Sequence, residues 1–499
     1  MDRKELRSRW IKLITVAVIA IYVALIAWWH VYVPRDDFAL QSPGADNRPE
    51  GSTRSVNDVV IGEFFMHYNE EATGDGNADA SGDNAATTAD GNTDAFGGRW
   101  ASFRGGESRN VIANNDLINT SADDYPVLWS VTTGEGHAAP VICAGKVYFL
   151  DYDEQLSSDA LRCFDLATGK ELWRRWYRSP IKRNHGFSRT VPAVGDGYII
   201  TIGPEGHVMC CDPLTGNMLW SLDMQKEYST EVPFWYTGQC PNVDNGVLIL
   251  APAGEEVLLT GIDCLTGERL WTTPNTLKFK MSHSSITTMT LSGKRTYVYT
   301  GVGGVCGVSA EKNDVGTLLW SATKWQPSVV APSPLQISAD RIFLVAGYGA
   351  GSALLQIERA GNKWTAAVRE QYKPSEGLSS EQQTPILFNN LIFGILPKDG
   401  GAHREKLVCY SPQNLHTPVW TSAADERFGL GPYIVINGKL FVLKDTGELY
   451  VYEVADSNFK LLKHQTVIPD GADAWGPMAY ADGRLLVRDA HNIKCLKIN

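Results

Sequence analysis

From about residue 100 to the C-terminus, hydrophobic and polar positions alternate in short runs that are separated by turn residues. A period of two predicts β-strands, because successive side chains of a strand point to opposite faces of its sheet. The 3.6-residue period of an amphipathic helix is not sustained there for more than about two turns. The larger part of the chain is therefore predicted to be all-β.

A turn motif recurs within this region at a fixed spacing. Three stretches align without gaps, each with an Asp, a Gly four residues later and a Trp eight residues after the Asp: Asp165–Trp173, Asp212–Trp220 and Asp263–Trp271. The Asp side chain caps a tight turn, the Gly supplies a positive φ, and the Trp strand returns. A second turn joins two apolar strands once per unit, beginning at residues 144, 195, 244, 292, 338, 388, 437 and 482. Units of roughly 50 residues suit four strands with their loops.

The repeated units predict a closed ring. A four-stranded sheet with two apolar faces is not stable alone, so neighbouring sheets stack around an axis. The eighth unit ends at Asn499 without a Trp strand, whereas Pro126–Val131 has the form of a Trp strand with no unit before it. Pairing of the first strand with the last segment removes both free edges. Residues 99–499 are therefore predicted to form an eight-bladed β-propeller of four-stranded blades.

The repeat itself resembles that of a known family. The sequence AAPVICAGKVYFLD…ALRCFDLATGKELW, within residues 138–173, resembles the pyrroloquinoline quinone (PQQ)-like repeat propellers, and the resemblance extends over about residues 99–499. Trp100–Arg104 (WASFR) is similar to a segment that often precedes the first blade in that family. The family includes quinoprotein dehydrogenases and a non-enzymatic scaffold of outer-membrane protein assembly. The resemblance therefore implies the fold and leaves two classes of function open.

The N-terminus has the features of a signal-anchor. Residues 1–12 carry five Lys or Arg against two acidic residues, and residues 13–33 contain no formal charge. A 21-residue helix is about 31 Å long, enough to cross a bilayer. The run is longer than the apolar region of a cleaved signal peptide and ends in WWHVYVP rather than at a small-residue cleavage site. We therefore predict a cytoplasmic segment at 1–12, a single transmembrane helix at 13–33 in the inner membrane, and a periplasmic remainder.

Residues 34–98 are predicted to be a flexible, largely disordered linker. Its part from residue 70 to residue 98 holds seven acidic residues and no basic one, which is typical of chains that cannot bury enough apolar surface to fold. The more apolar stretch 59–68 is left without a predicted structure. The net charge of −11 argues against nucleic-acid binding, because no basic surplus exists to release phosphate counterions. The predicted partners are the membrane, through the N-terminal helix, and an envelope protein or a small ligand.

Candidate site residues come from the starts of the repeated units. In such propellers the first strand of each blade lines the axis, so side chains just before these strands converge on one mouth of the channel. The candidate cofactor-binding residues are His137, His185, Arg189, Gln239, His283, Gln383 and Trp475. Together they are suited to a planar anionic ligand. The alternative is that they satisfy buried backbone ends and waters in a crowded channel. No metal-ligand spacing is recognised, so no metal site is predicted.

The adjacent cysteines do not match the pattern of a quinoprotein dehydrogenase. Enzymes of that class use a disulfide between adjacent cysteines. Cys210 and Cys211 lie within a strand and should point to opposite faces, so both are predicted to be structural. No calcium-binding Glu/Asn/Asp set and no complete catalytic motif is found.

These observations leave two functions open. The favoured function is a binding or scaffold module for protein or small-molecule ligands at one channel mouth, with no cofactor assured. The alternative is a PQQ- and calcium-dependent oxidoreductase that passes electrons to the membrane, with Trp475 stacked on the quinone and Arg189, His137 and His283 at its carboxylates.

Overall fold

The computed structural model describes residues 3–32, 64–68 and 98–499, except residues 107–108, 115, 122 and 456–457. The chain forms two compact units, Met1–Gln41 and Ser42–Asn499. The first contains helix α1 (Arg3–Tyr32), and the second contains every strand described here. Among the described residues, no helix has both the length and the apolar character needed to cross a bilayer. The transmembrane span at 13–33 therefore stays a prediction.

The second unit is an eight-bladed β-propeller, as predicted. Three strands precede the first complete blade: β1 (Phe64–Tyr68), β2 (Val111–Ile112) and β3 (Val127–Thr132). Blade 1 consists of β4 (Val141–Cys143), β5 (Lys146–Asp153), β6 (Ser158–Asp165) and β7 (Glu171–Arg178), and blade 2 consists of β8 (Ala193–Gly195), β9 (Tyr198–Ile202), β10 (His207–Cys211) and β11 (Met218–Asp223). Blade 3 consists of β12 (Asn242–Asp244), β13 (Val247–Leu250), β14 (Val257–Asp263) and β15 (Arg269–Pro274), and blade 4 consists of β16 (Thr287–Leu291), β17 (Lys294–Gly301), β18 (Gly304–Ser309) and β19 (Leu318–Ala322).

Blades 5 to 8 continue the same antiparallel order. Blade 5 consists of β20 (Leu335–Gln336), β21 (Arg341–Ala346), β22 (Gly351–Ala360) and β23 (Lys363–Tyr372), and blade 6 consists of β24 (Ile386–Phe388), β25 (Leu391–Ile395), β26 (Leu407–Tyr410) and β27 (Trp420–Thr421). Blade 7 consists of β28 (Tyr433–Ile436), β29 (Lys439–Leu443), β30 (Glu448–Ala455) and β31 (Asn458–Thr466), and blade 8 consists of β32 (Ala479–Ala481), β33 (Arg484–Arg488) and β34 (Asn492–Lys497) together with β3. Helix α2 (Met224–Tyr228) follows blade 2, and a 3-10 turn (Gly401–His403) lies in blade 6.

The ring closes through its first and last strands. β3 pairs antiparallel with β34, and Trp129 lies opposite Cys495 in this ladder. At the same seam the buried Arg488 donates to the carbonyl oxygens of Ala138 at 2.6 Å and Leu150 at 3.3 Å, which joins blade 8 to blade 1. The predicted role of residues 126–131 in closing the ring is confirmed.

Four of the repeated Trp residues pack against the turn Gly of the next blade, which explains why Trp and Gly recur together in these units. A Cβ on the turn Gly would lie within 2.6–2.8 Å of that Trp in four successive pairs: Trp129–Gly169, Trp173–Gly216, Trp220–Gly267 and Trp271–Gly316. The Trp129 indole also donates to the Leu166 carbonyl at 2.9 Å, and the Trp220 indole donates to the Cys264 carbonyl at 2.8 Å. Gly169 has a φ of 71°, so both backbone conformation and contact favour glycine there.

The segment before the first blade contacts the inner strands of several blades. Trp100 exchanges two backbone hydrogen bonds with Ile142 of blade 1, at 2.8 and 2.9 Å. Arg104 reaches blade 6, where it donates to the Pro385 carbonyl at 3.2 Å. β2 then pairs in parallel with the inner strand of blade 7. We call the described residues 98–106 and 109–112 the plug, because they contact blades 1, 2, 6 and 7.

Five residues of the predicted linker form a strand. β1 pairs antiparallel with β7, the outer strand of blade 1, in a continuous register from Phe64 opposite Tyr177 to Tyr68 opposite Trp173. Blade 1 is therefore five-stranded, in the order β1-β7-β6-β5-β4. Of the predicted linker 34–98, Gly98 is also described, and residues 34–63 and 69–97 lie outside the described part of the chain.

Candidate functional site

A pocket of about 230 Å³ opens at the mouth where the inner strands begin, opposite the turns between first and second strands. Six of the seven candidate residues line it: His137, His185, Arg189, His283, Gln383 and Trp475. Phe103 of the plug also lines the pocket.

Arg189 supplies a cation to the pocket wall. Its Nη2 donates to the carbonyl oxygens of Asn184 at 2.8 Å and Gly186 at 3.3 Å, which fixes the guanidinium. Burial lowers its pKa to about 10, so the group remains charged at neutral pH. Its buried Nε has no hydrogen-bond partner among the described residues.

His137 and Trp475 form an adjacent aromatic wall, with ring centroids 4.8 Å apart. Burial, reinforced by the cations of Arg488 and Arg189, lowers the pKa of His137 to about 3. The imidazole is therefore neutral at physiological pH. His137 Nδ1 and Trp475 Nε1 are buried without a hydrogen-bond partner in the described part of the chain. The Gln383 amide donates to the Trp475 carbonyl at 2.8 Å and thereby holds this residue in place.

Trp235 forms the opposite rim of the pocket. Its ring lies 6.2 Å from His283 and 5.2 Å from Tyr348, and both pairs are stacked. His185 meets the same indole edge-on at 6.0 Å. Gly238 permits this arrangement, because a Cβ there would lie 2.8 Å from the His283 Cβ. Burial, with the nearby Arg189 cation, lowers the pKa of His283 to about 4, so this imidazole is also neutral.

Gln239 does not line the pocket. It is fully buried, and its amide brackets Ala251 of blade 3, donating to the Ala251 carbonyl at 3.0 Å and accepting from the Ala251 N–H at 2.9 Å. The residue before it, Gly238, takes the pocket position. Gln239 therefore has the role of the alternative interpretation, which is to satisfy buried backbone groups.

Several lining residues were not among the sequence candidates. Tyr348 and Lys398 come from the connections between the second and third strands of blades 5 and 6. Glu381 lies just before the predicted Gln383, and burial raises the pKa of its carboxyl group. The position of Glu381 two residues before the candidate Gln383 was a usable signal. The two connections follow no register of the repeat, so their contribution could not be located from the sequence.

The adjacent cysteines lie away from the pocket and are structural, as predicted. Cys210 and Cys211 are fully buried in β10. Cys210 packs in the apolar cluster between blades 2 and 3, whereas Cys211 packs in the cluster between blades 1 and 2. Opposite orientation is what neighbouring strand positions require. Burial raises the pKa of the Cys210 thiol.

Comparison with known proteins identifies the repeat. A family model described as outer membrane protein assembly factor BamB matches residues 157–404, about half of the chain. The chain is a PQQ-like repeat β-propeller. This propeller is 26% identical over 147 residues to the outer membrane protein assembly factor BamB of Nitrosomonas eutropha. That match covers 29% of the chain and 30% of the relative.

Solved structures share the fold of this PQQ-like repeat propeller at low sequence identity. A europium-containing methanol dehydrogenase is 12% identical with a TM-score of 0.55, over 79% of this chain and 90% of the other. The quinohemoprotein alcohol dehydrogenase of Comamonas testosteroni is also 12% identical, with a TM-score of 0.54 and 80% of each chain covered. Similarity at this level establishes architecture, whereas function depends on the residues of the site.

The pocket residues do not fit a calcium-bound quinone. Calcium takes six to eight oxygen ligands, usually with several carboxylates. Glu381 supplies the single carboxylate of the pocket lining. Within the described ranges, no group of three or more His, Cys, Asp or Glu side chains is arranged to hold a metal ion. We therefore derive no reaction step through PQQ or calcium.

Proposed function

We propose that this PQQ-like repeat propeller is a binding module whose pocket takes a planar ligand carrying one anionic group. The observation that carries the proposal is the set of buried polar nitrogens around the pocket. Arg189 Nε and Trp475 Nε1 are N–H donors, and both lack hydrogen-bond partners among the described residues. A buried donor without a partner costs about 1–3 kcal/mol, so a ligand that supplies acceptors recovers that free energy.

The charges in the pocket favour a monoanion. Arg189 is the half-buried cation of the pocket wall, and His137 and His283 are neutral because their pKa values are lowered to about 3 and about 4. Lys398 is exposed, close to Glu381. One half-buried guanidinium matches one carboxylate, and further anionic groups would have only the exposed Lys398 as a partner.

The aromatic residues favour a flat ligand. Trp475 and His137 stand on one side of the pocket, while Trp235 and Tyr348 stand at the rim. Aromatic side chains recognise planar rings by stacking at separations of about 4.5–7 Å. A ring between these walls, with its carboxylate at Arg189, uses both features of the pocket.

The test is calorimetric titration of the protein with indole-3-acetate and, separately, with its uncharged analogue indole-3-ethanol, and the two affinities are compared. We expect the acid to bind more tightly, and Arg189→Gln to weaken it by about 10- to 100-fold, since a hydrogen bond to a charged group contributes about 1.5–3 kcal/mol. Arg183→Gln is the matched control, because Arg183 is an exposed arginine whose Nε is paired with Glu135 at 2.7 Å. Its affinity for the acid should stay unchanged.

The same titration distinguishes the alternative function. Equal binding of the acid and the alcohol, or no loss in Arg189→Gln, would contradict the anion site. PQQ with Ca²⁺ is added in a parallel arm, with dye reduction in the presence of an alcohol as the readout. Tight PQQ binding with restored dye reduction would favour the oxidoreductase over the binding module.

We also propose that α1 anchors the propeller to a membrane, with the propeller outside the cytoplasm. Residues 13–33 carry no formal charge, and described apolar side chains of α1, among them Leu13, Ile14 and Val18, are exposed. The relative named as an outer membrane protein assembly factor supports protein partners in the cell envelope as a further role. Carbonate extraction of membranes tests the anchor. The full chain should stay with the membrane, and a chain lacking residues 1–33 should not.

A further inference from the structure

The outer edge of blade 1 carries an additional strand, which the pocket function does not explain. In the described part of the chain, the outer strands of the other seven blades end their sheets, whereas β7 is followed by β1. The five paired residues run in register without a bulge. β1 is separated from the start of the plug by residues 69–97, so the pairing is a long-range contact rather than a hairpin.

The strand segment differs in composition from the sequence around it. Phe64–Tyr68 reads FFMHY and is preceded by Glu63 and followed by Asn69-Glu70-Glu71. Phe and Tyr favour strands, whereas the acidic and small residues that follow do not. The segment therefore has its own β-forming pattern, and five residues alone cannot form a stable strand without an edge to pair with.

Several side chains of β7 are engaged within blade 1. Trp173, Arg175 and Tyr177 are buried, and Tyr177 donates to Asp159 at 3.0 Å within the blade. Arg174 pairs with Glu171 at 2.8 Å on the same strand. The outer edge of β7 is the edge with which β1 pairs, and main-chain pairing is how an extended segment binds a sheet edge.

We propose that the outer edge of blade 1 is a strand-binding site that residues 64–68 fill in cis, and that it accepts an extended segment of the same pattern from a protein partner when this strand leaves. The chain that precedes the first blade therefore contacts the propeller at β7 as well as at Gly98. Access of a partner to the edge depends on release of β1. This role is independent of the pocket.

The first experiment measures amide hydrogen exchange in the full-length protein in detergent. Met66→Pro removes an N–H from the middle of β1 and should prevent pairing. The outward amides of β7 should then exchange at least about tenfold faster, while those of β5 and β6 stay unchanged. Met66→Val is the matched control and should keep the protection. Unchanged protection of β7 in Met66→Pro would overturn the proposal.

The second experiment tests the edge in trans. A synthetic peptide of residues 62–69 (GEFFMHYN) should restore protection of β7 in Met66→Pro, and the same peptide with proline at position 66 should not. Failure of the peptide to restore protection would refute the partner role. The mass of the wild-type protein by light scattering decides the origin of the strand. A dimer whose β7 protection is lost on dilution would place the strand in a second copy and overturn the cis arrangement.

Discussion

The packing of each Trp on the next turn predicts a large, specific cost for changing one glycine. Gly169→Ala introduces two penalties at the closing seam. An L-residue at a φ of 71° costs about 1–2 kcal/mol. The new Cβ would also lie 2.6 Å from Trp129 Cγ, and such overpacking typically costs about 1–3 kcal/mol more. We therefore expect the free energy of unfolding to fall by about 2–5 kcal/mol.

Gly246→Ala separates the two penalties. Gly246 lies in a turn with a φ of 77°, but a Cβ there meets no atom within 4 Å. This variant should lose only the backbone contribution, about 1–2 kcal/mol. Both variants are compared by urea unfolding followed by tryptophan fluorescence and circular dichroism, with coincident transitions as the check that one free energy describes each.

A double-mutant cycle completes the test. Trp129→Ala removes the side chain that the new methyl group meets, so Gly169→Ala should cost less in that background than in the wild type. Equal losses in Gly169→Ala and Gly246→Ala, or strict additivity with Trp129→Ala, would refute the steric explanation of the Trp–Gly repeat.

Two further predictions concern buried charged groups. Arg488→Met should lower the free energy of unfolding by about 3 kcal/mol or more, because buried carbonyls at the seam lose a charged donor, whereas Arg369→Met, which breaks an exposed ion pair, should change it by less than about 1 kcal/mol in the same urea assay. Burial raises the pKa of Asp159 from 3.8 to about 7, so the folded form binds a proton that the unfolded form has lost, and this contribution to stability falls as pH rises from about 4 to about 7. Asp159→Asn should therefore raise the melting temperature more at pH 8 than at pH 5, and equal shifts at the two pH values would contradict this origin.

The ring was predictable because its information is repeated. Eight copies of one turn fix the number of blades, and the unmatched Trp129 strand fixes how the ring closes. The contact between Trp129 and Gly169 was not anticipated, since it joins neighbouring units and the motif was interpreted within one unit. β1 could not be predicted, because a five-residue strand depends on an edge that only the folded blade 1 provides.

The pocket was predictable where it follows the repeat. His137, Arg189 and His283 occupy equivalent places before inner strands, and the ring brings them together. Gln239 was expected to join them, but its amide is used by the backbone of Ala251. Phe103 could not be located from the sequence, because the plug has no counterpart among the eight units.

The plug has a consequence for the ligand that occupies the pocket. Phe103, which lines the pocket, belongs to the plug and not to any of the eight repeated blades. Substitutions in the plug can therefore change the shape of the pocket while every blade keeps its sequence. Ligand preference and ring stability can in this way change independently of each other.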